Sequence, residues 1–218
     1  NWTGVYVGVL GFCSNKKVLD ERGLAVPESW SDLLKPELKG QVSTAHPSTS
    51  GTAFTTLWTQ VVLGGSENAG IDYMKKMHAN VLQYTKSGTA PGQIAGRGEV
   101  AVGLVFSHDC VKYRDEGMKD LVVSFPKEGT GYEIGGVALV KNSKHSEAAK
   151  KYIDWAISAD AQNLGQTVGS NQILTNPNAK TNDKMAKLDE INLINYDFAA
   201  AAAAKPELTK RFDEEVAA

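Results

Sequence analysis

The run Ala45-His46-Pro47-Ser48-Thr49-Ser50-Gly51-Thr52-Ala53-Phe54 sets small hydroxyl residues and a glycine directly ahead of a helical pattern. Phe54, Leu57, Trp58, Val61 and Val62 recur at i, i+3, i+4, i+7 and i+8, which is one apolar helix face. The N–H groups of a first helical turn lack intrahelical partners and sit at the positive end of the dipole. Gly51 lets an anion approach that backbone, and Ser48, Thr49, Ser50 and Thr52 add hydroxyl donors, so the segment suits phosphate, phosphonate or carboxylate. The same residues also serve as a plain N-cap, with Ser50 or Thr49 closing the helix start. On ten residues alone, capping is the default use.

Two further polar turns stand after strand-like runs. Ser87-Gly88-Thr89 follows Val81 to Thr85 and opens a short helix at Pro91. Ser107-His108-Asp109 follows Val100 to Phe106, an apolar run of the kind buried on both faces. Gly4 to Phe12, Gly40 to Thr44, Leu121 to Phe125 and Tyr132 to Val140 also read as strands. Lys16–Glu21 is predicted as a short helix or turn, Pro27-Glu28-Ser29-Trp30 opens another short helix through Leu34, and helices follow over Thr52–Leu63, from a Ser66 cap through about His78, and from Asp109 to Gly117. From Ser146 the chain turns helical, with Ala149, Tyr152, Ile153, Ala156 and Ile157 on one face. Asp160–Val168, Lys184–Leu188, Ala199–Ala204 and Glu207–Val216 follow as helices. Strands alternating with helices predict an α/β fold with a mostly parallel sheet, whose ligands lie beyond the C-terminal strand ends. All three polar turns come at such ends. Their convergence sets a binding-loop reading of the first beside the cap reading.

The bulk numbers exclude several classes. With 218 residues, 42% hydrophobic and 22% charged, the chain suits one large domain or two small ones. A net charge of -2 argues against nucleic acid or anionic membrane as the main partner. No apolar run is long enough to cross a bilayer. Cys13 and Cys110 are the only cysteines, either a disulfide of an oxidising compartment or two buried thiols. His46, His78 and His145 have no partner at metal spacing and read as structural, and no metal site or cofactor is expected. Enzyme chemistry would need an activated nucleophile or a carboxylate metal cluster. There is no GxxxxGK[ST] loop, no HExxH and no pair of acids at matching strand ends. The chain starts at Asn1 almost inside a strand, which reads as a chain lacking its natural N-terminal part.

Several segments taken in order carry a resemblance. They are Trp2-Thr3-Gly4-Val5-Tyr6, Pro27-Glu28-Ser29-Trp30-Ser31-Asp32-Leu33-Leu34, Leu38-Lys39-Gly40 and Pro47-Ser48-Thr49-Ser50-Gly51-Thr52. Gly98-Glu99-Val100-Ala101, Val140-Lys141-Asn142-Ser143 and Ala148-Ala149-Lys150-Lys151-Tyr152-Ile153-Asp154-Trp155 with Ser158 and Gln162 complete the set. Together they resemble the substrate-binding proteins of bacterial ABC importers, in the two-lobed class that includes ferric-ion-binding proteins. The resemblance implies a type II periplasmic-binding-protein fold: two α/β lobes, hinge strands, and ligand held in the cleft as the hinge closes. It assigns 14–134 plus 191–218 to the more complete lobe, and 1–13 plus 135–190 to the other, which lacks its N-terminal part. It implies a non-enzymatic, monomeric protein of the periplasm, free or lipid-anchored, that delivers a small anionic solute to a membrane permease.

In ferric-binding relatives, adjacent tyrosines occupy the position where this chain has Ser107-His108-Asp109, and no Tyr-Tyr pair occurs anywhere in it. One His and one Asp are poor ferric ligands. The pattern instead resembles sugar-phosphate binders, with His108, Asp109 and the hinge residue Glu133 bonding hydroxyls. Ser48–Thr52 and Ser87, Gly88 and Thr89 would then hold the phosphate. Trp2 would stack on the sugar or be buried at the hinge. An aminophosphonate fits the same parts, with Asp109 and Glu133 facing its ammonium. The ferric ion and a phosphate-handling enzyme remain as alternatives.

Overall fold

The computed structural model describes residues 2–217; Asn1, on which the expectation of a missing N-terminal part rests, and Ala218 lie outside the described residues. Its central element is β1 (Trp2–Asn15), a 14-residue strand formed by the whole apolar opening of the chain. Around its C-terminal half lies a five-stranded sheet in the order β3-β2-β4-β1-β5, with β2 (Val42–Ala45), β3 (Val81–Thr85), β4 (Val102–Phe106) and β5 (Leu121–Ser124). Its N-terminal half pairs instead with β6 (Tyr132–Ala138) and β7 (Ile173–Leu174). The partners change between Val9, opposite Tyr132, and Leu10, opposite Phe106.

The expected mostly parallel sheet is corrected. β2 runs parallel to β3 and β4, but β1 is antiparallel to β4, β5, β6 and β7. Alternating strands and helices signal parallel neighbours only where a helix makes the crossover. β1 is joined to distant strands, so that signal does not reach it.

The period of two along β1 sends side chains to opposite layers. Leu10 and Phe12 enter a core shared with α2 (Gly51–Gly64), α3 (Glu67–His78) and α8 (Phe198–Glu215). Leu57, Ile71, Met74, Met77 and Phe212 fill it. Cys13 enters a second core with Ile94 and Ala95 of α4 (Ala90–Gly96) and Tyr113 of α5 (Ser107–Asp115). β4 lies between these layers and is buried throughout, as its apolar run predicts.

Most predicted helices form near their expected bounds. The Ala199–Ala204 and Glu207–Val216 segments join into α8, started by Asp197, which accepts from the amides of Ala199 and Ala200. Lys184–Leu188 is not a helix: Asn182 Oδ1 accepts from the amides of Lys184 and Met185, which diverts the backbone into a turn. Only Leu188–Glu190 winds, as a 3-10 turn. The apolar face of α6 (Ser146–Ala156) forms as expected, but none of its residues is buried, and Tyr152 is 59% exposed. Its neighbour is α7 (Ala159–Thr167), whose Gln162 is buried and accepts from the amides of Thr175 and Asn176. No helix among the described residues is long and apolar enough to cross a membrane.

Cys13 and Cys110 form a disulfide, which resolves the alternative left open by their number. It ties the C-terminal end of β1 to the first turn of α5 across 97 residues of sequence. Both cysteines are buried, so the link also lies inside the second core. Closing so long a loop restricts the unfolded chain, an effect worth about 2–4 kcal/mol. Replacing both cysteines by serine should lower the melting temperature by several degrees in calorimetry, and reductant should then have no further effect. An unchanged melting temperature would show that the bond adds nothing to stability.

Candidate functional site

The three polar turns converge. The ends of β2, β3 and β4 bring the start of α2, the 86–89 turn and the start of α5 around one cleft of about 450 Å³. Thr49, Ser50, Gly51, Thr52, Ser87, Gly88, Thr89, His108, Asp109 and Glu133 all line it. Tyr6, Lys86, Phe106 and Gln172 line it as well.

At the start of α2, capping and an open backbone coexist. Ser50 is the N-cap and its Oγ accepts from the amide of Ala53 at 3.3 Å. The amides of Gly51 and Thr52 find no acceptor among the described residues, and both residues line the cleft. A Cβ on Gly51 would meet nothing within 4 Å, so the backbone there is open to a ligand. Gly88 serves a different end. A Cβ on it would come within 2.7 Å of Ser50 Oγ, so only glycine lets the second turn close against the first. Thr49 Oγ1 donates to the carbonyls of His46 and Lys86, stapling the two turns together.

The opposite wall carries acceptors. His108 lies parallel to Phe106, centroids 5.9 Å apart, and meets Tyr6 in a T-shaped contact, centroids 6.2 Å apart. Burial between these rings lowers its pKa to about 4, so the imidazole is neutral at physiological pH. Asp109 is pushed up to about 6, first by burial and then by the charge of Glu133, with Lys112 pulling the other way. Burial also raises Glu133, opposed by the Tyr6 hydroxyl, which donates to its Oε1 at 3.2 Å. Gly8 pairs with Glu133 across β1 and β6, and a Cβ there would reach His108 Cε1 at 3.0 Å. Glycine at that register therefore lets α5 close on the two strands.

Two residues predicted for the site stand outside the cleft. Ser48 is exposed, its hydroxyl 2.7 Å from His46 Nδ1. Trp2 pairs with Ala138, lies against Gly136 and is 62% exposed, so it is neither buried at the hinge nor among the lining residues. Arg97, between its two glycines, pairs with Glu99 at 2.5 Å. Lys86 was missed although it directly precedes the second turn. Tyr6 and Gln172 carry no local signal, because strand pairing alone delivers them.

The shift of Asp109 has a stability consequence. Its carboxyl ionises near its usual value of 3.8 when unfolded and at about 6 when folded. The stability that the protonated group allows is complete below pH 3.8 and is lost as pH rises through about 6. Asp109→Asn should therefore stabilise the unliganded protein at pH 7.5 by at most roughly 3 kcal/mol, and the gain should vanish below pH 4. Thermal melts of both proteins from pH 4 to 8 test this, with a His108→Gln background separating the titration of the imidazole, whose Nε2 lies 3.8 Å from the Asp109 carboxylate. Equal melting temperatures at pH 7.5 would mean that Asp109 is well solvated.

Three comparisons bear on this geometry. The family model described as bacterial extracellular solute-binding protein matches residues 1–202. A protein of Haemophilus influenzae is 41% identical over 98% of this chain, which spans 62% of that relative's length. The solved structure of the periplasmic binding protein AfuA from Actinobacillus pleuropneumoniae, with fructose-6-phosphate bound, is 37% identical with a TM-score of 0.92. It covers 99% of this chain, and the chain covers 68% of it. The periplasmic binding protein P5PA is 30% identical with a TM-score of 0.89 over 99% of this chain and 68% of its own. By family match, identity and architecture together, this chain belongs to the bacterial extracellular solute-binding proteins and has their type II periplasmic-binding fold.

Proposed function

We propose that this chain is part of the solute-binding component of an ABC importer. It captures a small phosphorylated organic solute of the hexose phosphate type in the cleft and delivers it to a membrane permease. One observation carries the reading: Gly51 and Thr52, whose amides find no acceptor among the described residues, line the same cleft as the half-buried carboxylates of Asp109 and Glu133.

In this reading the phosphate sits against those two amides and the hydroxyls of Thr52, Ser87 and Thr89, with the Lys86 ammonium balancing its charge. The solute's hydroxyls donate to Asp109 and Glu133, and neutral His108 supplies one donor and one acceptor. Nothing in this scheme breaks a bond: the cleft supplies donors, acceptors and shape, as a receptor requires. The bound fructose-6-phosphate of the AfuA structure supports the same ligand class. The Cys13–Cys110 disulfide suits an oxidising compartment such as the periplasm, where the protein acts as a monomer. The lobes follow the division into 14–134 plus 191–218 and 1–13 plus 135–190, with the boundary in β1 moved to Val9–Leu10, where its partners change. Closure of the two around the solute excludes water and presents the closed form to the permease.

A second reading takes an aminophosphonate, its ammonium between Asp109 and Glu133. The two carboxylates lining one cleft favour it. Ferric ion is a weaker fit, because neutral His108 leaves two carboxylates as the anionic donors on this wall.

Titration calorimetry with fructose 6-phosphate, 2-aminoethylphosphonate and ferric citrate separates the three. Binding of the sugar phosphate, recovered unchanged, is the expected result. Asp109→Ala should weaken it by about 1.5–3 kcal/mol, or roughly 10- to 150-fold, through loss of a charged hydrogen bond. Gly51→Leu should weaken every anion while leaving the melting temperature near that of the parent, since the added side chain enters open space. Retained affinity in both variants would remove the cleft from the function.

A further inference from the structure

The cleft does not end at Asp109. A second hollow of about 300 Å³ opens beyond the first turn of α5 and shares His108, Asp109 and Gln172 with the first. Lys112 and the segment 168–171 form the rest of its wall. That segment follows α7 and is held firmly. Ser170 N donates to Gly165 O at 2.9 Å. Asn171 is 5% exposed; its Oδ1 accepts from Asn182 Nδ2 at 3.1 Å, and its own Nδ2 donates to Gly169 O at 3.3 Å. Ser170 Oγ donates to Gln172 Oε1 at 3.1 Å, which orients the Gln172 amide group. Gln172 thus stands at the junction of the two hollows, near Tyr6 and therefore near Glu133.

The walls of the second hollow are polar apart from Val168: side-chain amides, a hydroxyl, an imidazole, one carboxylate and one ammonium. Such a surface suits hydroxyls and repels an alkyl chain, whose burial there would strand polar groups without partners. A solute anchored by its phosphate at Gly51 and Thr52 must pass Asp109 before it reaches this space.

We propose that the solute site continues into the second hollow and that Gln172 is a specificity-determining residue, bonding hydroxyls on the part of the solute farthest from the phosphate. The inference rests on the phosphorylated-solute reading and narrows it. The site is matched to hexose-length phosphorylated polyols and discriminates against three-carbon phosphate esters and free phosphate.

The test is a ladder of ligands: inorganic phosphate, glycerol 3-phosphate and fructose 6-phosphate, titrated into the parent protein, Gln172→Ala and the size-conserving Gln172→Glu. In the parent, affinity should rise at each step. Gln172→Ala should weaken fructose 6-phosphate by roughly fivefold to tenfold, the loss of one hydrogen bond, and leave glycerol 3-phosphate unchanged. The same loss should persist in a Tyr6→Phe background, which separates direct contact from an effect relayed through Tyr6 to Glu133. Equal weakening of both esters, no weakening of either, or a loss that disappears in the Tyr6→Phe background would overturn the role of Gln172. A parent that binds both esters equally would overturn the extended site while leaving phosphate capture intact. A parent that binds none of the three would overturn the phosphorylated-solute reading, and this inference with it.

Discussion

The backbone pairing of β1 is the constraint on which the rest of the structure depends. Its C-terminal half hydrogen-bonds to β4 and β5, and its N-terminal half to β6 and β7, without a break in the strand. A strand has two faces only, so a slip of one residue would exchange the side chains on both. Leu10 and Phe12 would leave their core, and Cys13 would lose its bond to Cys110. The same slip would turn Tyr6 from the cleft and set a side chain of another residue where Gly8 lets His108 and Glu133 close in. Core, crosslink and cleft therefore share one register.

Within that frame, the cleft combines donors and acceptors. Uncapped amides, hydroxyls and Lys86 line it together with partly desolvated acceptors. The carboxylates pay for their burial while the cleft is unliganded, as the upward shifts of Asp109 and Glu133 show. A solute that brings hydroxyl or ammonium donors to them restores what burial removed. One that brings only an anion satisfies the amides alone. The proposed reading therefore expects a ligand with both characters rather than a bare oxyanion.

The disulfide belongs to the same logic. Cys110 follows directly after His108 and Asp109, so its bond to Cys13 anchors the turn that presents both side chains. α5 has no side-chain N-cap, its first residue following Phe106 directly. Packing against Phe106 and the covalent tie to β1 hold this helix start where a capping side chain does so for α2.

What the sequence by itself determined was local. The amphipathic period of α2, the Ser50 cap and the three polar turns after strands depend on residues a few positions apart, and short-range sterics and hydrogen bonds settle them. The tertiary structure decided what depends on partners far away in the chain. The antiparallel course of β1, the Cys13–Cys110 pairing, the delivery of Tyr6 and Gln172 to the cleft and the placing of Trp2 outside it are of this kind. The Lys184–Leu188 segment shows the limit even at short range, since one Asn182 side chain outcompetes a helical pattern. Strand partners and cleft walls are chosen by burial and pairing over the whole chain, and no window of neighbouring residues contains that choice.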